Sequence, residues 1–202
     1  MGLDVYVMRH GETEANVREI LVGRGDSPFT RAGRKHPAVV AKHLIEVPLA
    51  CIYTSPMERA RRTTVLVLEG LGRDVPVRVE AAIAEIDAGE FTGLPFDEVR
   101  RRVPRDAVLG EFRYPGGESW DEVQERAVSF VARLEVRHTE HEALLVVTHA
   151  GVIAGLVAKY LGEPIESYIR TRFGHDFLGR FRVEGGALID YDRIVGTVDS
   201  WI

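Results

Sequence analysis

Apolar and polar positions along the chain alternate between two periods. Short, nearly continuous apolar runs at Leu3–Met8, Ala50–Thr54, Val77–Val79, Leu144–Thr148, Leu178–Val183 and Ala187–Tyr191 predict strands. Between them lie helical patterns. Thr30–Ile45 opens on a threonine suited to capping and carries Val39, Val40 and Leu44 on one face. Pro56–Leu71 starts with a proline, tolerated in a first helical turn, and stops near Gly70 and Gly72. Ser119–His138 places Val123, Ala127, Phe130, Val131 and Leu134 at helical spacing, and Val152–Leu161 is followed by Gly162. Alternating strands and helices predict an α/β protein, a three-layer α/β/α sandwich. Its central sheet would be mostly parallel with an antiparallel edge strand. The last two strands, joined at Gly185-Gly186, read as a hairpin at one edge.

Residues 86–118 break the pattern. Their one helix candidate is Phe96–Val103, among Gly93, Pro95, Pro104, Gly110, Pro115, Gly116 and Gly117. Insertions of this length form lids or substrate loops, or pack as plain surface excursions.

Composition narrows the class. The 202 residues suffice for one domain, and no repeat, low-complexity tract or linker divides them. Hydrophobic residues at 45% and charged residues at 28% match an ordinary globule. A net charge of −5 argues against a nucleic-acid partner, while leaving an anionic substrate open where local arginines set the field. The single cysteine, Cys51, sits in an apolar strand and reads as a packing residue. No membrane span is expected, because Lys42, His43 and Glu46 interrupt the longest apolar stretch. No leader is read before the first strand, and the expected location is cytoplasmic.

Four segments carry chemistry, each placed after an apolar run. Arg9-His10-Gly11-Glu12 follows the first strand, where strand ends and helix starts converge on anionic ligands. Thr54-Ser55-Pro56 leads to Arg59, residues 84–93 supply Glu85, Asp87 and Glu90, and Thr148-His149-Ala150-Gly151 ends a strand on a second histidine. An imidazole nucleophile divides phosphoester hydrolysis into two displacements, and arginines suit the equatorial oxygens of a metaphosphate-like phosphoryl group.

Together with Gly23–Gly33, Pro115–Ser119 and Arg126, these segments resemble the histidine phosphatase superfamily over nearly the whole chain. That family includes proteins resembling cofactor-dependent phosphoglycerate mutase and the phosphatase half of fructose-2,6-bisphosphatase. The resemblance implies His10 as nucleophile, Arg9 and Arg59 as phosphate clamps, His149 as second imidazole and Glu85 as acid/base. Asn16, Arg24, Gly11 and Ala150 are implied to touch substrate. It implies neither a metal nor another cofactor, and it allows a homodimer. The expected partners are a small phosphorylated metabolite and inorganic phosphate as product.

The compact length and the Gly-Gly-Glu-Ser element point to a metal-independent phosphomonoesterase. Phosphoglycerate mutase is the alternative, and a catalytically silent binding module on the same fold a further one. Related enzymes act on sugar phosphates, phosphoglycerates, phosphoserine or α-ribazole phosphate.

Other residues have plainer readings. Asp87 and Glu90 compete with Glu85 for the acid role. Glu118 and Ser119 either meet substrate or cap the long helix with Glu122. His138 and His141 read as a solvated helix end, and His36, His43 and His175 as surface or packing residues. Trp120 and Trp201 read as packing, and Arg100–Arg102 as a solvated helix face. Phe29, Phe91, Phe96, Phe112 and Tyr114 are expected to line an open apolar rim favouring broad specificity.

Overall fold

The strand-period runs become one six-stranded sheet in the computed structural model, which describes residues 2–169 and 171–200. In chain order the elements are β1 (Leu3–Arg9), α1 (Glu14–Val17), α2 (His36–Ala41), β2 (Leu49–Thr54), α3 (Glu58–Leu71), β3 (Val77–Val79), α4 (Phe96–Arg102) and α5 (Trp120–Ala132). There follow α6 (Leu134–Arg137), β4 (Ala143–Thr148), α7 (Ala150–Leu161), α8 (Glu166–Ile169), β5 (Thr171–Phe173), β6 (Leu178–Glu184), β7 (Ala187–Val195) and β8 (Val198–Ser200). The sheet order is β3-β2-β4-β1-β6-β7. The first four strands are mutually parallel, and β6 and β7 form the expected hairpin, with β6 antiparallel to β1.

Burial on both faces explains why β4 reads as a continuous apolar run. Its Leu144 and Val146 enter a core shared with Val123 and Ala127 of α5 and Val152 and Leu156 of α7. Leu145 and Val147 enter the opposite core, with Val40 of α2 and Ala60 and Val67 of α3. That two-sided packing gives the three expected layers. Cys51 is buried as expected. Among the described residues no helix is long and apolar enough to cross a membrane.

The structure corrects several boundaries. The helix expected over Thr30–Ile45 is regular only from His36 to Ala41, with a 3-10 turn at Lys42–Leu44. Gly33 must lie against the backbone of Glu12, where a Cβ would meet the carbonyl oxygen at 1.9 Å, and this contact holds residues 31–35 in turns. Thr30 serves those turns instead of a long helix: its hydroxyl accepts from Gly33 N–H at 2.9 Å and donates to Glu12 Oε1 at 2.6 Å. Val39 is accordingly exposed. The third helix starts at Glu58, two residues late, and its long successor breaks at Arg133 into α5 and α6. The two-stranded ribbon β5–β8 is not among the strands the pattern predicts. Trp201 lies outside the described residues.

Residues 86–118 are packed into the body. Gly93 N–H and Leu21 N–H exchange bonds with Leu21 O and Leu94 O, and Phe96 N–H donates to Glu19 O. The expected open rim is corrected. Phe29, Phe91 and Tyr114 are buried, with Phe91, Phe112 and Tyr114 packed ring against ring on the core that α5 and α7 share with the sheet. Arg100, Arg101 and Arg102 form ion pairs with Asp97 and Glu98 along their own exposed helix, as a solvated face should.

Ser119 and Glu122 form a complete capping box at the start of α5. Ser119→Ala should therefore cost about 1 kcal/mol, read as a lower urea midpoint with an unchanged denaturant slope.

Candidate active site

Strand register assembles the site. Parallel β1, β4 and β2 end at one edge of the sheet, with Arg9 level with Thr148 and Thr54 level with Val147. The residues beyond those ends stay in register: His10 N–H donates to Thr148 O at 2.9 Å and Ser55 N–H to Val147 O at 3.0 Å. His10, Ser55 and His149 are thus neighbours because three apolar strands are. Helix α7 starts immediately after His149, so the N–H of Ala150 belongs to its unpaired first turn.

His10 has a defined tautomer. Its Nδ1 lies 2.8 Å from Gly11 O, a pure acceptor, so Nδ1 carries the proton. Its Nε2 therefore presents a lone pair, which accepts from Arg59 Nε–H at 3.2 Å. Desolvation, then the Arg59 charge, holds the His10 pKa well below the usual histidine value, and His149 is lowered by the same two causes. Both rings are neutral at pH 7. Their centroids are 5.1 Å apart.

Arg59 is buried, with 4% of its surface exposed. Its Nη2 donates to Gly23 O at 2.7 Å, while Nη1 donates to Gly25 O and reaches Asp26 Oδ1 at 3.4 Å. Asp26 also accepts from Glu58 N–H and Arg59 N–H, both at 3.1 Å, capping α3 from a distant loop. Arg9 donates to Phe173 O, and its Nε is buried without a partner. Desolvation lowers the Arg9 pKa to about 10, opposed by the nearby Glu85 carboxylate. The same carboxylate is the foremost charge offsetting burial of Arg59. The arrangement brings Arg9, His10, Arg59, Glu85 and His149 together.

Ser55 orients His149. Its oxygen accepts from Met57 N–H at 3.3 Å and lies 2.7 Å from His149 Nε2. With the hydroxyl proton given to Nε2, the imidazole proton falls on Nδ1, which is buried and has no partner. That donor is available to an anionic oxygen.

Glu85 is held through its backbone. Arg126 donates to Ala82 O at 2.8 Å and Glu85 O at 3.1 Å, and Thr148 Oγ1 donates to Ile83 O at 2.7 Å. Its side chain lies beside Trp120 over Gly151, where a Cβ would meet Glu85 Oε1 at 2.5 Å and the Trp120 ring at 2.2 Å. Trp120 thus walls the acid as well as packing on the core.

The remaining expectations fare unevenly. Gly11 N–H is taken by Thr63 Oγ1 at 2.9 Å, so it offers no donor to substrate. Asn16 gives its side-chain carbonyl to the Thr13 cap, at 3.0 Å from N–H and 2.8 Å from the hydroxyl, leaving its amide donors. Arg24 turns to Glu118, 2.7 Å away. Glu118 does more than either reading gave it: its other oxygen accepts from Asp87 N–H at 3.0 Å and Arg126 at 3.2 Å.

Two histidines are corrected. His138 is tied at 2.9 Å to the buried Tyr53 hydroxyl and at 2.6 Å to Glu142, and so is no solvated helix end. His175 is at the site: its Nδ1–H donates to His10 O at 2.8 Å, and its ring lies 5.4 Å from that of His10. It comes from the short turn after β5, a segment without a local signal. Among the described residues no group of three or more His, Cys, Asp or Glu side chains is placed to hold a metal ion.

Comparisons with known proteins agree with this geometry. A sequence profile for the histidine phosphatase superfamily (branch 1) matches residues 5–187. The structure of Bacillus stearothermophilus YhfR is 31% identical, with a TM-score of 0.82 over 96% of each chain. The α-ribazole phosphatase of Shigella flexneri is 26% identical, with a TM-score of 0.76 over 91% of this chain and 92% of that one. Among curated proteins, the probable phosphoglycerate mutase GpmB of Cronobacter sakazakii is 29% identical over 206 residues, 99% of this chain and 90% of its own.

Burial of neutral imidazoles has a consequence for stability. His10, His149 and His175 all have pKa values lowered by desolvation, so the folded state declines protons that the unfolded chain accepts below about pH 6.5. Stability should be insensitive to these groups above that pH and fall beneath it, each contributing up to about 1.4 kcal/mol per pH unit. Urea unfolding from pH 7.5 to 5 measures the slope. His175→Asn, which keeps an N–H for His10 O, should reduce it.

Proposed function

Because the chain belongs to the histidine phosphatase superfamily, whose members are phosphatases or mutases, we propose that it is a metal-independent phosphomonoesterase working through phosphohistidine at His10. The observation that carries this reading is the tautomer of His10, with its proton spent on Gly11 O and a lone pair on Nε2 beside Arg59. A neutral nucleophile among cations suits attack on a dianion.

In the first displacement Nε2 forms a bond to phosphorus as the bond to the leaving oxygen breaks. Arg9, Arg59 and the free Nδ1–H of His149 hold the equatorial oxygens. For Arg59 this means that substrate takes over the Nε–H now given to His10. Glu85 gives its proton to the leaving alkoxide, and the alcohol departs. In the second displacement Glu85 takes a proton from water, whose oxygen attacks the phosphohistidine. Inorganic phosphate leaves, and His10 and protonated Glu85 are restored. Asn16 and the first-turn N–H of Ala150 are the further donors this reading assigns to substrate.

The Shigella α-ribazole phosphatase supports hydrolysis, whereas the GpmB relative is named as a mutase. The two outcomes separate by what accepts the phosphoryl group. A small phosphorylated metabolite as substrate and a cytoplasmic setting complete the proposal.

Phosphate release from monoesters should survive EDTA and be lost in His10→Ala. Glu85→Gln should lower kcat by about 10²- to 10⁴-fold. Rapid quench with ³²P-labelled ester should trap label on the wild-type chain and none on His10→Ala. Isomerisation of 3-phosphoglycerate that depends on a bisphosphate primer would instead establish the mutase.

A further inference from the structure

Beside the acid, where the leaving group of a phosphate ester must lie, the charges are already matched. Arg24 lies between Gly23 and Gly25, whose carbonyls hold Arg59, and thus sits in the loop that supports the phosphate clamp. Its guanidinium faces away from duty as a substrate anchor. Nη2 is 2.7 Å from Glu118 Oε1, and Nη1 is 3.5 Å from Asp87 Oδ2. Arg126, the other cation here, is committed to Ala82 O, Glu85 O and Glu118. The guanidiniums of Arg24 and Arg126 thus meet two carboxylates, those of Asp87 and Glu118, while Glu85 faces Arg9 and Arg59. Four further arginines of the insertion are also engaged: Arg100, Arg101 and Arg102 with Asp97 and Glu98, and Arg113 with Glu122.

We infer that the Arg24–Glu118–Asp87 cluster sets the substrate class: monoesters of uncharged, hydroxyl-bearing alcohols are accepted and esters bearing a carboxylate are discriminated against. This rests on the phosphomonoesterase reading of the site. The reason is electrostatic. A carboxylate on the leaving group would meet the carboxylates of Asp87 and Glu118, whose two guanidinium partners are already committed, and like charges brought together without compensation are penalised. Hydroxyl groups can donate to Asp87 and Glu118 and find acceptors satisfied. Arg24 is 43% exposed, so its pairing with Glu118 is an adjustable contact, whereas Glu118 and Arg126 are under 20% exposed and fix the cluster to the acid loop. Glu118 is therefore the specificity-determining residue, acting by holding Arg24.

The test is a matched pair of esters, glycerol 3-phosphate and 3-phosphoglycerate, which differ by a hydroxymethyl group against a carboxylate. Phosphate release gives kcat/KM for each with the full chain, and calorimetry gives the affinity of each for the His10→Ala variant. Glycerol 3-phosphate should be preferred by about tenfold or more. Glu118→Gln removes one charge and frees Arg24, and should move the ratio toward 3-phosphoglycerate by about tenfold. Asp87→Asn should move it the same way by less. Ratios are read because loosening the acid loop lowers both rates together. A wild-type preference for 3-phosphoglycerate overturns the inference, as do folded variants whose ratio stays at the wild-type value. If wild type releases phosphate from neither ester, the phosphomonoesterase reading fails, and the calorimetric ratio alone decides the specificity.

Discussion

Burial of the Arg59 guanidinium is the constraint around which the site is arranged. A cation removed from water must have its N–H groups bonded and its charge opposed. Gly23 O, Gly25 O and Asp26 meet the first demand, and Glu85 and Asp26 the second. Each has a further effect. Asp26 also caps α3, so the loop that satisfies the side chain fixes the helix that carries it. Thr63, one turn on in α3, accepts from Gly11 and donates to Arg59 O, which sets the backbone beyond the nucleophile. The nucleophile, its clamp and the substrate loop are therefore held by one set of bonds, and none of them can move alone.

Charge and neutrality are divided between residue types. Positive charge for a phosphoryl dianion comes from arginines, which keep their protons even when desolvated, as Arg9 does with a pKa still near 10. The imidazoles stay neutral because burial away from water, and then the charge of those cations, disfavours a further proton. A protonated His10 could not attack phosphorus, so the environment that binds the substrate also preserves the nucleophile. His175 continues this logic. It is neutral by burial and by the Arg9 charge, yet it donates through Nδ1–H to the carbonyl of His10. It fastens the backbone without adding a charge.

What the sequence made legible follows from range. Arg9, His10, Arg59 and His149 stand next to apolar strands or at a helix start, so local pattern located them and the parallel order brought their strand ends together. Glu85 was distinguishable from Asp87 and Glu90 only through the resemblance, and the bonds from Arg126 and Thr148 that hold its loop cross 41 and 65 residues. His175 contacts a partner 165 positions away from a turn without any periodic signal. The long helix expected from Thr30 failed because helical spacing cannot register that Gly33 must meet the Glu12 backbone. Phe91 and Tyr114 were misplaced for a related reason: an aromatic residue in an irregular segment has the same letter whether it faces solvent or the core.

The two sides of the site differ in how they are built, and this bears on what can change. The phosphoryl side stands on strand ends locked by register, where a shift in one residue would displace three strands. The leaving-group side stands on turns from residues 86–118, pinned to the body by backbone bonds near Leu21 and by the carboxylate of Glu118. Substitutions there alter charge and shape without touching the strands. Arg126 and Glu118 join the two sides: Arg126 holds both Glu85 O and the Glu118 carboxylate, and Glu118 pairs with Arg24 of the loop that holds Arg59. A change at Glu118 therefore acts on selectivity through Arg24 and on the acid through Arg126, and the exposed Arg24 contact is the one of the two that can yield without cost to the chemistry.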